Sequence, residues 1–221
     1  SARASTNIPT AATFVYVTDF LSGRVLMEKQ KDAPMKPASM AKIMTAYIVF
    51  DRIAEGTLAL TDQFIVSEKA WKMGGSRSFL QAGRSYSLDE LLHGVIVQSG
   101  NDAAVVIAEG ISGTEDNFAA EMNMTAAKLG MKNTMFTNST GWPDPELTTT
   151  AKDLALLSTA IIKNFPVEKF PELYPIFKKK TYMLNGIKQG NRNPLLYGKS
   201  SLSKGVDGLK TGYTSESGYG L

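Results

Sequence analysis

The sequence contains no cysteine and only one histidine, His93. Without cysteine there are no disulfides and no thiolate chemistry, and a zinc site built on two or three His or Cys ligands is excluded. We predict neither a metal nor a cofactor. A Ser-His-Asp triad would have to use His93, but residues 88–98 have helical spacing, so we interpret this histidine as a packed or surface helix residue. A hydrolase with a serine nucleophile would therefore use a lysine or a carboxylate as its base.

Long apolar runs and a strong charge bias are also missing. No run of about 18 apolar residues occurs, so no segment of this sequence is predicted to span a membrane. The net charge is +3, from 24 basic and 21 acidic residues. The densest basic cluster, residues 178–180, is interpreted as a solvated turn before a strand. We therefore expect no nucleic-acid partner.

Local patterns predict the order of the secondary structure. Helical spacing begins at Ser39 and ends at Gly56. Three further helices are predicted to start at capping motifs, at Ser87, Thr114 and Thr150, and the first and last of these have the form of a capping box. Alternating or β-rich segments predict strands over residues 13–18, 24–29, 181–184, 186–190 and 208–214.

This order of strands, helices and strands predicts an α+β fold. Strands distant in sequence are expected to pair in an antiparallel sheet that packs against helices. The length of 221 residues, 43% of them hydrophobic, is that of one globular unit. We predict a single domain over residues 1–221, with a mostly helical subdomain at about residues 60–150.

The first candidate for chemistry is Ser39-Met-Ala-Lys42, at the start of the predicted helix. A spacing of three on a helix places Ser39 and Lys42 on one face, close enough for the amine to reach the hydroxyl. A serine hydroxyl needs an adjacent base, and lysine can serve only if burial or a neighbouring positive charge lowers its pKa. A second Ser-x-x-Lys, at Ser201 to Lys204, lies in a polar stretch and is interpreted as a solvated loop, so the motif alone has little weight.

Two further motifs have residue types that suit a polar substrate. Ser99-Gly-Asn101 is predicted to form a turn between two buried helices, where a hydroxyl and a carboxamide can pass a proton and hold an amide. Taken alone, it is better interpreted as a simple connection. Lys210-Thr211-Gly212 lies in a predicted strand, and a lysine beside a hydroxyl, with glycine allowing close backbone approach, suits a bound carboxylate.

The three motifs in this order resemble the signature of penicillin-binding proteins and serine β-lactamases, whose fold has an antiparallel sheet flanked by helices. More narrowly, the chain resembles the low-molecular-mass D-alanyl-D-alanine carboxypeptidases of bacterial cell-wall metabolism. The resemblance runs from about residue 13 to the end. It depends on four longer strings, at residues 37–45, 98–103, 190–193 and 207–212.

The resemblance implies a role for each motif residue. Ser39 would attack the carbonyl between the two terminal D-alanines of a peptidoglycan stem peptide, Lys42 would take its proton, and Ser99 would relay a proton to the leaving D-alanine. Water would then hydrolyse the acyl-enzyme, and a β-lactam would acylate the same serine. The remaining residues are implied in substrate binding: Asn101 for the amide, Lys210, Thr211, Gly212 and Arg192 around the carboxylate, and the N–H groups of Ser39 and Tyr213 as the oxyanion hole.

Two alternatives stay open. Class A β-lactamases share the three motifs and add a Glu-x-x-Leu-Asn element whose glutamate drives deacylation. Here residues 141–148 place Glu146 directly before a leucine, and no asparagine follows, so we expect slow deacylation. A catalytically inactive binding module on the same fold is the other alternative.

The resemblance also implies what lies outside this sequence. Family members continue beyond the position of Leu221 with further strands and a helix of the same catalytic domain, and many then have a small β-rich domain and an amphipathic membrane anchor. We therefore expect membrane association, if any, to depend on a C-terminal part not present here. The implied location is extracytoplasmic, in the periplasm or at the outer face of a bacterial cytoplasmic membrane.

Overall fold

A computed structural model describes residues 9–200 and 203–221. The described part begins with an antiparallel hairpin of β1 (Val15–Thr18) and β2 (Val25–Lys29), in which Tyr16 lies opposite Glu28. This is the first predicted strand pair. It is followed by the segment that leads to the nucleophile motif.

The Ser39-Met-Ala-Lys42 motif contains the predicted nucleophile, Ser39. It begins in a 3-10 turn, Ala38–Ala41 (the nucleophile turn), rather than in the first turn of an α-helix. Helix α1 (Lys42–Ala54) begins only at the lysine, because the N–H of Met40 already bonds to the carbonyl of Pro37 in the tighter 3-10 pattern. The predicted helix start at Ser39 is therefore three residues early. Residues Lys42 to Phe50 of α1 are all buried, so this helix passes through the centre of the core.

The other helices surround α1. The turn Ser99-Gly100 joins two of them, whose apolar faces are almost completely buried. The five α-helices other than α1 are α2 (Glu68–Trp71), α3 (Leu88–Ile96), α4 (Asn101–Ser112), α5 (Glu115–Lys128) and α6 (Ala151–Asn164). The first four of these, together with one short two-stranded sheet, lie within residues from about 60 to 150.

The predicted capping motifs mark real helix starts, with one difference. Ser87 and Glu90 form a complete capping box at α3. At α6, the Thr150 side chain accepts from the Asp153 N–H, but the Asp153 carboxylate does not return the bond. That carboxylate accepts instead from the N–H of Asn133 and the hydroxyl of Thr134, so the predicted second capping box is only half formed.

The strands of the described ranges form four separate two-stranded antiparallel sheets. Each strand pairs with its neighbour along the chain, so the expected pairing between strands distant in sequence is not observed. The strand predicted at residues 208–214 is also too long, because pairing starts only at Gly212. The three remaining strand pairs are β3 (Gln63–Ile65) with β4 (Ser85–Ser87), β5 (Thr181–Leu184) with β6 (Ile187–Gly190), and β7 (Gly212–Thr214) with β8 (Gly218–Gly220). The mixed α+β class is as predicted.

His93 is a packed helix residue, 3% exposed, on α3. Its Nδ1 lies 2.8 Å from the carbonyl of Asp89, its Nε2 lies 2.7 Å from Lys179 Nζ, and its ring stacks on Tyr182. Burial and then the nearby Lys179 lower the pKa of His93. The uncharged ring then donates from Nδ1 and accepts from Lys179, which ties α3 to the segment before β5. None of the helices in the described part is long and apolar enough to cross a membrane.

We predict that Ser87→Ala lowers the free energy of unfolding by about 1 kcal/mol, because it removes the side-chain acceptor for the Glu90 N–H. Urea denaturation of the two proteins measures the difference. Ser158→Ala is the matched control, since the Ser158 hydroxyl only bonds back to the carbonyl of Leu154 in mid-helix and should be near neutral. An equal effect of both substitutions would contradict a stabilising cap at Ser87.

Candidate active site

The Ser39 hydroxyl and the Lys42 amine meet as the spacing predicts. Ser39 is half-buried in the 3-10 turn, while Lys42, the first residue of α1, is 1% exposed. The distance from Lys42 Nζ to Ser39 Oγ is 3.1 Å. The residue before the nucleophile, Ala38, has a φ of +49°, so this turn is held in a conformation that non-glycine residues seldom adopt.

Two further contacts define how the Lys42 amine is used. Its Nζ lies 2.7 Å from Asn101 Oδ1 and 2.9 Å from the carbonyl oxygen of Thr140. The Asn101 orientation is set by its Nδ2, which donates to the carbonyl of Gly74 at 2.9 Å. Both oxygens can only accept, so in the uncharged form of the amine they would use its two hydrogens. The lone pair of that amine is then left for the Ser39 hydroxyl, which is the one partner that can donate.

The surroundings favour the uncharged form of Lys42. Burial lowers its pKa well below 10.5, the charges of Lys210 and Arg192 lower it further, and Asp102 acts in the opposite direction. Burial and then Arg192 lower the pKa of Lys210 to about 7. The charge of Lys210 and the burial of Lys42 therefore act in the same direction, and both favour the uncharged form of Lys42.

Ser99 occupies the turn between α3 and α4. It is 2% exposed and has a φ of +60°, in the left-handed region. Among the described residues, its Oγ has no hydrogen-bond partner. A buried hydroxyl without a protein partner is uncommon and costly, and this one lies two residues from the amide that contacts Lys42. The sequence predicted this turn but not its strained conformation.

Asp102 was missed by the sequence analysis, although it directly follows Asn101. It is 1% exposed, and its carboxylate accepts from the N–H groups of Ser78, Leu80 and Ala103 at 2.8, 3.1 and 2.9 Å. These bonds fix the segment before β4 against the start of α4. A Ser-x-Asn motif followed by an acidic residue at a helix N-terminus was the available signal.

A loop at residues 138–142 presents the Thr140 carbonyl to Lys42. Asn138 Oδ1 accepts from the N–H groups of Gly141 and Trp142 at 2.8 and 3.1 Å. Gly141 has a φ of +82°, and a Cβ there would lie 1.8 Å from the carbonyl oxygen of Ala38. The loop therefore packs directly on the nucleophile turn, and only glycine fits at this contact.

The same loop is held from behind by a buried carboxylate. Glu115 at the start of α5 accepts from the Ser139 hydroxyl at 2.7 Å and pairs with Lys69 at 3.1 Å. The Ser139 carbonyl accepts from Thr45 on α1 at 2.7 Å. Sequence reasoning also missed these residues. The Asn138 to Gly141 spacing indicates a turn, but a backbone carbonyl such as that of Thr140 gives no residue-type signal.

The Lys210-Thr211-Gly212 motif lies against the nucleophile turn, and only its last residue, Gly212, is part of β7. Lys210 is 5% exposed and its Nζ donates to the carbonyl of Thr211 at 3.1 Å. A Cβ on Gly212 would lie 2.9 Å from the carbonyl of Pro37, so glycine is required for this approach. Tyr213 is 56% exposed and packs on Tyr219.

Arg192 is exposed, and its guanidinium donates to the Ser76 hydroxyl. Ser76 itself accepts from the Asn101 N–H through its carbonyl, which connects the arginine to the site. Of the second Ser-x-x-Lys, Ser201 and Leu202 lie outside the described residues, and Lys204 is exposed. The structure thus joins Ser39, Lys42 and Asn101 by direct contacts, and Lys210 and Arg192 by their effect on the pKa of Lys42.

Solved structures define the class to which this fold belongs. The chain is similar to penicillin binding protein 5 of Haemophilus influenzae, with a TM-score of 0.87 and 38% identity over 96% of this chain and 61% of that one. It is also similar to penicillin-binding protein D2 of Listeria monocytogenes in its ampicillin-bound form, with a TM-score of 0.82 and 30% identity over 96% and 83% of the two chains. The fold is that of the penicillin-binding proteins.

Sequence comparison identifies the family. The model of the D-alanyl-D-alanine carboxypeptidase family matches residues 2–221. The D-alanyl-D-alanine carboxypeptidase DacA of Haemophilus influenzae is 40% identical over 215 residues, 96% of this chain. The chain belongs to the D-alanyl-D-alanine carboxypeptidase family, which confirms the resemblance seen in the motifs. It spans about half the length of the curated relatives it matches, 52% in this case.

We predict that Lys210→Met raises the thermal stability, and that the gain depends on pH. The pKa of Lys210 in the folded state, about 7, lies below the ordinary value of 10.5, so burial penalises its charged form. This penalty is complete below about pH 7 and disappears as the pH rises toward 10.5. The Tm should therefore increase most at about pH 6 and hardly at about pH 10, by about 2–4 °C for each kcal/mol.

Differential scanning fluorimetry across this pH range measures the effect. Lys188→Met, an exposed lysine on β6, is the control and should change the Tm little at any pH. A gain for Lys210→Met that is the same at both pH values would contradict a lowered pKa for Lys210.

Proposed function

We propose that this protein is a serine-type D-alanyl-D-alanine carboxypeptidase that acts through an acyl-Ser39 intermediate. The observation that supports this most directly is the three-way contact of the buried Lys42 amine with Ser39, Asn101 and Thr140. An uncharged amine with its lone pair on a serine hydroxyl is a nucleophile–base pair.

In the proposed acylation, Ser39 Oγ attacks the carbonyl carbon of the penultimate D-alanine, and Lys42 Nζ accepts the hydroxyl proton. The resulting oxyanion is bound by the N–H groups of Ser39 and Tyr213, on the nucleophile turn and β7. Gly212 supports this arrangement, because its close approach to Pro37 brings β7 next to the turn. Asn101 has a second Nδ2 hydrogen, which can be donated to the carbonyl of the substrate amide.

The collapse of this intermediate breaks the peptide bond and needs a proton for the leaving D-alanine. We assign this transfer to Ser99, which lies in the turn after α3. Its buried Oγ has no hydrogen-bond partner among the described residues. The proton moves from the Lys42 ammonium through the Ser99 hydroxyl to the leaving amine. Lys42 is thereby returned to its uncharged form, ready to activate the water that hydrolyses the ester.

The C-terminal carboxylate of the substrate is proposed to bind at Lys210, Thr211 and Arg192. A pKa of about 7 leaves Lys210 only partly charged near neutral pH. An incoming carboxylate stabilises the Lys210 ammonium and raises that pKa. Binding of the substrate therefore increases the fraction of Lys210 that is charged. The charged Lys210 in turn favours the uncharged form of Lys42.

β-Lactams are proposed to acylate Ser39 as substrate mimics, as the ampicillin-bound form of the Listeria relative supports. A fast β-lactamase also needs a carboxylate that activates the deacylating water. Glu146 is exposed, and among the described residues no carboxylate lies within salt-bridge distance of Lys42. The buried carboxylates Asp102, Glu115 and Asp153 are bound by backbone N–H groups. Slow deacylation is therefore proposed.

The proposed substrate, the peptidoglycan stem peptide, defines the compartment. Cell-wall peptides are outside the cytoplasmic membrane, so we place the protein in the bacterial extracytoplasmic space. Membrane attachment through a segment beyond Leu221 is a proposal that only the resemblance supports.

We predict that benzylpenicillin forms a stable penicilloyl adduct, detectable as one added inhibitor mass in the intact protein. Ser39→Ala should abolish the adduct. Ser201→Ala, in the second Ser-x-x-Lys, is the matched control and should be labelled as the wild type is. An unlabelled wild type would indicate an inactive binding module, and rapid, complete turnover of nitrocefin would indicate a β-lactamase.

We also predict that the acylation rate rises with pH through an ionisation well below the ordinary lysine value of about 10.4. Arg192→Met should move this ionisation to higher pH, because it removes a positive charge that lowers the pKa of Lys42. Stopped-flow acylation with a chromogenic β-lactam measures both profiles, with Arg77→Met, an exposed arginine, as the control. A wild-type profile without any ionisation below about pH 10 would contradict Lys42 as the base.

A further inference from the structure

Trp142 is a large apolar side chain that is 46% exposed beside the site. The tip of its ring packs on the backbone of two successive glycines. A Cβ placed on Gly74 would lie 3.4 Å from Cη2 of the ring, and one on Gly75 would lie 3.3 Å from Cζ3. The absence of side chains at both positions lets the indole lie against the peptide, while part of the ring is open to solvent.

The position of this ring is fixed by the loop that bears it. The N–H of Trp142 donates to Asn138 Oδ1 at 3.1 Å and to Thr140 Oγ1 at 3.0 Å, and its carbonyl accepts from Asn138 Nδ2 at 3.0 Å. The preceding Gly141 packs on the carbonyl of Ala38. Because both the N–H and the carbonyl of Trp142 are hydrogen-bonded, we expect this loop to be ordered rather than mobile.

The ring lies beside the groups that are proposed to bind the acyl part of the substrate. Gly74 accepts from Asn101 Nδ2 through its carbonyl, and a Cβ on Gly75 would lie 2.8 Å from the same nitrogen. At its other end, the loop of Trp142 holds the Thr140 carbonyl on Lys42. The loop therefore packs on the nucleophile turn through Gly141, while the indole of Trp142 lies against the glycines that adjoin the Asn101 amide.

We propose that Trp142 is a specificity-determining residue that binds the apolar part of the acyl donor. In a peptide this is the side chain of the residue before the acyl D-alanine, and in a penicillin it is the acylamino substituent. The inference rests on the proposed acylation of Ser39. It assigns to the exposed indole face a contact with methylene or aryl groups, whose burial on an aromatic ring is favourable.

Charge excludes the other side of the substrate as the partner of Trp142. The leaving D-alanine ends in a carboxylate, and the cations of the site are Lys210 and Arg192. An indole face attracts cations and apolar groups but not carboxylates. Since Asn101 is proposed to bind the amide that precedes the acyl residue, the group beyond that amide is the one that reaches Trp142.

The test compares two β-lactams with the same ring system and carboxylate. Benzylpenicillin has an aryl acylamino substituent, whereas 6-aminopenicillanic acid has a free amine. In Trp142→Ala, the second-order acylation rate for benzylpenicillin should fall about threefold to tenfold more than that for 6-aminopenicillanic acid. Trp142→Phe should keep most of the selectivity. Trp71→Ala, which removes the other tryptophan, 47% exposed on α2, should leave the ratio of the two rates unchanged.

The two rates test the contact with Trp142 and the acylation of Ser39 separately. If both rates fall equally in Trp142→Ala, or neither falls, the inference is wrong while acylation of Ser39 stands. If neither compound acylates the wild type, the proposed function is wrong instead. The differing contact of the two compounds with Asn101 is common to all the variants and cancels in the comparison of ratios.

A second measurement does not depend on the stability of Trp142→Ala. With two tryptophans in the chain, Ser39→Ala/Trp71→Phe reports fluorescence from Trp142 alone and cannot be acylated at Ser39. Benzylpenicillin should change that emission with saturation, and 6-aminopenicillanic acid should change it less. The matched protein Ser39→Ala/Trp142→Phe should show no saturable change. Equal responses of the two single-tryptophan proteins would overturn the proposal.

Discussion

The burial of one lysine amine is the constraint on which the site depends. Lys42 is enclosed at the first residue of α1, in the centre of the core, where a charge is costly. Its three partners come from three parts of the chain: the 3-10 turn, the start of α4 and the loop at Thr140. Together these three contacts fix the position of the Lys42 nitrogen. A displacement of any one of the three elements would expose the amine or remove one of its hydrogen-bond partners.

Buried carboxylates hold these elements without neutralising the lysine. Asp102 binds backbone N–H groups of the segment before β4, and Glu115 binds Ser139 next to the carbonyl that Lys42 uses. Neither forms an ion pair with Lys42. The negative charges are satisfied locally, at helix starts, where the backbone is already positive. The positive charges of Lys210 and Arg192 are thus left to act on Lys42 and on a ligand.

The motifs allowed much of the candidate site to be predicted, because it depends on residue type. The Ser39–Lys42 spacing, the Ser99–Asn101 turn and the capping box at Ser87 need particular side chains, which a sequence displays. The Thr140 carbonyl and the Gly74 carbonyl could not be predicted, since any residue has a carbonyl and only tertiary packing selects one. The prediction of the strand pairing was wrong for a related reason. The paired strands are short, and the residues at which they begin and end depend on packing such as that of Gly212 on Pro37.

Two adjacent positions of one loop are constrained in opposite ways. Gly141 is closed to every side chain by the carbonyl of Ala38, whereas Trp142 projects partly into solvent from a backbone that Asn138 holds in place. Under selection, position 141 should therefore be almost invariant, while position 142 is free to vary without disturbing the nucleophile. If β-lactams acylate Ser39 as proposed, a change of drug susceptibility would then have a short mutational route, a single codon next to the glycine that packs on the Ser39 turn.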